Sequence, residues 1–156
     1  MKDKTGLNLL EPIEAIVPGE GFTLHIRWKD GLEGEADLSE HLKRFAVAAP
    51  LRDPDRFRRV ALGEGGFTAD FGGDLEIPCD LLRRMVLEGQ GRLMPTEAFK
   101  AWRSRNGLSL TAAGQALGVT RRTVAAYASG ERPIPRTIML ACKGWEALRE
   151  ESGRAA

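Results

Sequence analysis

The sequence predicts an α+β N-terminal domain followed by an all-α C-terminal domain, and three observations carry that expectation. Charge changes sign along the 156 residues. Residues 1–90 hold 12 Lys/Arg against 17 Asp/Glu, a balance of −5, whereas residues 91–156 hold 11 against 5, a balance of +6. An acidic half joined to a basic half points to two domains with different tasks. Residues 22–28 alternate apolar and polar without error, which is the period of a half-buried strand. Residues 108–130 contain two short runs of helical period, each opened by a hydroxyl side chain and closed by a glycine.

Taken in order, residues 1–12 are polar and expected to be loose. Ile13 to Val17 is a short strand closed by Pro18-Gly19. Phe22, Leu24, Ile26 and Trp28 share one face of the next strand. Asp30-Gly31 follows as a hairpin turn, since both residues tolerate positive φ. Leu32 to Leu38 returns as a strand carrying Glu33, Glu35 and Asp37 on one face, most simply a solvated sheet face and otherwise a docking surface for a basic partner or an edge charged against aggregation. Ser39 is positioned to cap a helix ending near Ala46. Asp53 and Pro54 suit the cap and first position of one helical turn, and Phe57 to Leu62 is expected as a strand. Gly63 to Gly66 turns into an alternating strand, Phe67 to Phe71. Gly72-Gly73-Asp74 turns again into Leu75 to Ile77. Pro78 to Glu88 reads as a helix with Leu81, Leu82, Met85 and Val86 inward. A small antiparallel sheet with one or two helices on one side accounts for this half. Expected boundaries are residues 1–88 for this domain, 89–94 for a Gly-flanked linker, 95–150 for the helical domain and 151–156 for a disordered tail.

In the second half, Thr96 is the expected cap of a helix through Arg105 with Phe99 and Trp102 inward. Asn106-Gly107 ends it, and Leu108 folds back on Trp102. Ser109 then caps a helix from about Leu110 to Leu117, and Gly118 takes the left-handed conformation that stops it. Thr120 caps the next helix from Arg121, Val119 and Val124 have the spacing of a hydrophobic staple, and Gly130 closes it. Val124, Tyr127 and Ala128 form its inward stripe, leaving Arg121, Arg122, Ala125, Ala126 and Ser129 outward. Two arginines in the first turn sit at the positive end of the macrodipole. A phosphate or a guanine edge from outside would remove that conflict. Glu131 to Pro135 is a stiff connector. The last helix is expected from Pro135 to about Glu150, with Ile138, Ala141, Cys142, Trp145 and Leu148 on one stripe. Between Pro95 and Arg136 the balance is +5, as a polyanion-binding module requires.

The residues Leu108, Ala116-Leu117-Gly118-Val119-Thr120, Val124, Tyr127, Gly130 and Pro133 resemble the helix-turn-helix of the Cro/phage-repressor superfamily. That resemblance implies a repressor-like domain of five helices, the linker helix supplying the fifth. The helix after the turn would be the recognition helix, lying in the major groove of double-stranded DNA. Carried over by position, Arg121, Arg122, Thr123 and Ala126 would read bases, Arg to guanine being the commonest specific pairing. Ser109, Thr111, Gln115, Thr120 and Arg132 would meet phosphates. A homodimer on a palindromic site is the usual arrangement. The N-terminal half is similar to a small bacterial α+β domain of uncharacterised function, on Trp28, Asp30-Gly31, Asp37-Leu38, Phe57, Gly65-Gly66 and Ile77-Pro78, over roughly residues 13–88. Such domains occur alone, beside helix-turn-helix domains or beside small toxin-like proteins, which implies dimerisation, ligand sensing or partner binding.

No constellation in the chain supports an enzyme. His25 and His41 have no plausible Cys or Ser nucleophile at hand. The GEGG and FGGD stretches lead into hairpins rather than from a strand into a helix, so they are not phosphate cradles. Cys79 and Cys142 lack metal-ligand spacing and read as reduced, buried thiols of a cytoplasmic protein. No metal, cofactor or membrane span is expected. The leading expectation is a sequence-specific transcriptional regulator. The alternative is a protein-interaction adaptor or antitoxin-like protein whose N-terminal domain holds a toxin-like partner and whose helix-turn-helix binds DNA weakly or not at all.

Overall fold

The computed structural model describes residues 8–154; the N-terminal stretch 1–7 and residues 155–156 lie outside the described residues. The chain is mixed α and β and divides into two compact units meeting between Gln90 and Gly91. No helix among the described residues is long and apolar enough to cross a membrane.

Among its described residues the first unit holds two three-stranded antiparallel sheets where the sequence suggested one. Strands β1 (Ile13–Pro18), β2 (Thr23–Trp28) and β3 (Glu33–Asp37) form the first sheet in that order. Their register follows the expected hairpin, with Arg27 opposite Glu33 and Leu24 opposite Ala36. The alternation in β2 is realised completely: Leu24, Ile26 and Trp28 are fully buried and Phe22 packs on the same core. Strands β4 (Ala61–Leu62), β5 (Thr68–Asp70) and β6 (Glu76–Pro78) form the second sheet. Helix α3 (Cys79–Gly89) packs on β3 and buries Leu82 and Val86.

Several local expectations are corrected. Helix α1 (Ser39–Arg44) is capped by Leu38, not Ser39; the Asp37 carboxylate instead accepts from the Ser39 N–H at 3.0 Å and its hydroxyl at 2.7 Å. Helix α2 (Pro54–Phe57) has Asp53 as its cap, accepting from the Asp55 N–H at 3.1 Å. The turn so nucleated continues through bonds from Arg58, Arg59 and Val60 to carbonyls three or four residues back. The expected strand from Phe57 is therefore reduced to Ala61–Leu62. Phe67 lies just outside β5 and is half exposed, although Ala69 and Phe71 are buried as the alternation requires.

The second unit contains α4 (Thr96–Arg105), α5 (Leu110–Leu117), α6 (Arg121–Ser129) and α7 (Arg136–Arg154) around Phe99, Trp102, Val124, Tyr127, Ile138 and Cys142. Thr96 does not cap α4. Pro95, in an extended conformation, holds the cap position and its carbonyl accepts from the Phe99 N–H, so Thr96 falls inside the first turn. The expected linker and connector are also structured. Leu93–Met94 (β7) pairs antiparallel with Ile134–Pro135 (β8), Met94 opposite Ile134, and a two-strand clamp closes the helical unit. The helix before Gly89 belongs to the first unit, so the second has four helices among its described residues. Helix α7 reaches Arg154, four residues into the expected tail. Its Leu148, placed inward by periodicity, is 65% exposed, because the core ends near Trp145.

Candidate nucleic-acid interface

Helix α6 is held in place by five local devices. The α4 C-terminus ends in a Schellman pair, Gly107 N–H to the Ser104 carbonyl (3.1 Å) and Leu108 N–H to the Arg103 carbonyl (3.0 Å). This turns the chain sharply into α5. Ser109 caps α5 by accepting from the Ala112 N–H at 3.0 Å. Gly118 ends α5 in the left-handed region, φ 70°, ψ 30°, where a side chain would be strained. Thr120 then caps α6, its hydroxyl accepting from the Thr123 N–H at 3.1 Å. Val124 is fully buried and Val119 packs beside it, the expected staple.

Helices α5 and α6 approach closely at Gly114. A Cβ built there would lie 2.7 Å from the Val119 carbonyl oxygen, within the turn itself. The Gly114 carbonyl also accepts from the Val119 N–H at 3.0 Å, so the helix and the turn are bonded where they touch. The signal for this residue was available as a small residue one helical turn before the left-handed glycine, and sequence reasoning passed over it.

The expected base-reading residues do not behave alike. Arg121 and Arg122 are both exposed in the first turn of α6, which has no acidic residue, and neither makes a hydrogen bond or ion pair among the described residues. Ala126 is partly exposed on the same helix. Thr123 is drawn inward: its hydroxyl is 2.9 Å from that of Thr120 and accepts from the Arg132 guanidinium at 3.4 Å. Of the expected phosphate contacts, Thr111 and Gln115 are exposed on α5 and Ser109 is exposed at its cap. Thr120 and Arg132 are engaged with Thr123, and the Arg132 N–H bonds the Ala126 carbonyl at 3.2 Å, which folds that residue back onto α6.

The remaining cations of this segment are largely occupied internally. Lys100 pairs with Glu97 at 3.3 Å, and Arg136 donates to the Gly91 carbonyl at 3.1 Å. Arg105 binds Glu146 at 2.6 Å, and Asn106 donates to the same carboxylate at 2.8 Å, joining the end of α4 to α7. The Asn106 amide, then the Arg105 guanidinium, hold the Glu146 carboxyl below its ordinary value. What is left outward at the start of α6 is a pair of unneutralised guanidinium groups on a rigidly held helix.

In the first unit, two of the three alternating carboxylates of β3 already have partners. Glu33 lies 2.7 Å from the His25 ring and Asp37 is bound to Ser39. Sequence reasoning missed the unit's main polar feature. Arg83 on α3 is buried and forks onto Asp30 in the hairpin turn at 2.5 and 3.1 Å, with its guanidinium over the Trp28 ring. The Arg83 hydrogen bonds are the largest cause of a lowered Asp30 pKa.

No protein-family model and no curated protein matches the chain. Among solved structures, the crystal structure of a "putative DNA binding protein" from Nitrosomonas europaea is similar. It is 36% identical, the match covers 88% of this chain and 88% of that one, and the TM-score is 0.52.

Proposed function

The chain belongs to the family of this Nitrosomonas europaea protein, and we propose that it is a sequence-specific DNA-binding transcriptional regulator. Helix α6 enters the major groove, Arg121 and Arg122 meet base edges, and Ala126 lets the helix lie close. The exposed hydroxyl of Ser109, with Thr111 and Gln115, meets the phosphates on either side. Thr123 and Arg132 support α6 from behind through their mutual bond. The protein works as a homodimer on a palindromic site in the cytoplasm, because one helix reads too few base pairs for useful discrimination. The N-terminal unit serves dimerisation, ligand sensing or partner binding.

The observation that carries this reading is the uncompensated arginine pair at the N-terminus of α6. A protein optimised for its own stability would place Asp or Glu there. The neighbour's description as DNA binding supports the same conclusion.

Binding of the full chain to random duplex, followed by fluorescence anisotropy over a salt series, tests it. Affinity falls with salt, and changing Arg121 and Arg122 to Ala lowers the slope of log K against log salt by about 0.9 for each phosphate no longer neutralised. Selection from a random duplex pool then returns a palindromic site. No duplex binding at low salt refutes the reading in favour of the adaptor alternative.

A further inference from the structure

We propose that the exposed face of α7 is the surface on which two copies of this chain pair, antiparallel, about a two-fold axis beside Gly144. The inference deepens the homodimer in the reading above and does not require DNA.

Ile138 and Cys142 turn one side of α7 to the core, and an apolar stripe is left on another. Leu140 is 50% exposed and Leu148 is 65% exposed. With Gly144 between them they stand at i, i+4 and i+8, and Ala147 falls on the same stripe. A Cβ at Gly144 would find nothing within 4 Å, so the middle of the stripe is open to a second backbone. From Ala147 onward every described residue of α7 is exposed, so the last two turns have no cover from the rest of their own unit.

Charge selects the partner and its direction. Residues 136–145 carry Arg136 and Lys143 and no acid; residues 146–154 carry Glu146, Glu150 and Glu151 against Arg149 and Arg154. Arg136 in the first turn and Glu151 in the last each sit at the end of the macrodipole that disfavours its charge. A second α7 crossing antiparallel at Gly144 corrects both at once. Leu140 of each copy then faces Leu148 of the other, and Glu151 comes beside Thr137 and Arg136 at the positive end of the opposite helix. A parallel pairing would set like charges side by side. The interface is self-complementary, as a two-fold contact must be. One helix per copy covers less than the roughly 800 Å² per partner of a standard stable interface, so the free dimer forms only at elevated concentration.

Sedimentation velocity of the full chain over a micromolar-to-millimolar series tests the proposal. The wild type passes from monomer to dimer, and replacing Leu140 and Leu148 by Glu weakens association at least about tenfold without changing the circular-dichroism unfolding midpoint. A Gly144→Cys variant in the otherwise native chain places two thiols across the axis, where they oxidise to a linked dimer. A Glu150→Cys variant, off the stripe, does not; native Cys79 and Cys142 are buried. A monomer throughout the series, or a dimer indifferent to the Leu substitutions, overturns the proposal. Random-duplex binding of the same samples is read separately, so failure of the dimer and failure of DNA contact are distinguishable.

Discussion

Replacing Gly114 with Ala tests whether the turn between α5 and α6 owes its geometry to a missing side chain. Two effects oppose each other. In a helix interior Ala is favoured over Gly by about 1 kcal/mol. The new Cβ, however, would stand 2.7 Å from the Val119 carbonyl oxygen, when ordinary contact begins near 3.4 Å. The obstacle is backbone, which cannot rotate away, and the Val119 N–H is bonded to the Gly114 carbonyl at the same place. Forcing extra volume into a packed contact costs about 1–3 kcal/mol. Sterics therefore win, for a net loss of up to about 2 kcal/mol. For a unit of this size each kcal/mol moves the unfolding midpoint by roughly 4–8 °C. Calorimetry of the full chain should show the Ala variant melting lower, and a Gly114→Val variant lower still. An Ala variant that melts higher, by what propensity alone supplies, refutes the close approach of the turn to α5.

The ion pair, the helix caps and the buried thiols give further expected outcomes. Asp30→Ala leaves the buried Arg83 guanidinium without its partner and should cost about 3 kcal/mol or more in urea unfolding, whereas Arg83→Met leaves a carboxylate that water can reach and should cost much less. Because the folded Asp30 pKa is depressed, its contribution is present above the ordinary carboxylate value of 3.8 and is lost as pH falls through the lower folded value; the wild type should therefore lose more stability than Asp30→Asn on acidification below that point. Thr120→Ala removes the cap of α6 and should lower stability by about 1 kcal/mol, measured by the same unfolding curves. Burial, reinforced by the Glu146 charge, pushes the Cys142 thiol up to about 12, and burial likewise raises Cys79. A thiol reagent at neutral pH should leave both unlabelled until denaturant is added; rapid labelling of the native chain would contradict their burial.

What the sequence determined by itself is what short-range chemistry decides. The Ser109 and Thr120 caps, the left-handed Gly118 and Gly130, the Val119–Val124 staple and the outward arginines of α6 depend on residues within a few positions of each other. So do the alternation of β2 and the Asp30-Gly31 turn. Errors in the local reading arose where two residues could serve one role, as at Ser39 and Thr96, where a neighbour's backbone took the cap. Only the tertiary structure decided the pairings between distant residues. Met94 meets Ile134, Asn106 meets Glu146, and Arg83 meets Asp30 across 53 positions. No local periodicity encodes such contacts, since each forms only after loop-closure entropy has been overcome by packing elsewhere. The site divides in the same way. Which residues open α6 was legible, but that Thr123 and Arg132 bind each other while Arg121 and Arg122 stay unpaired is a property of the assembled surface.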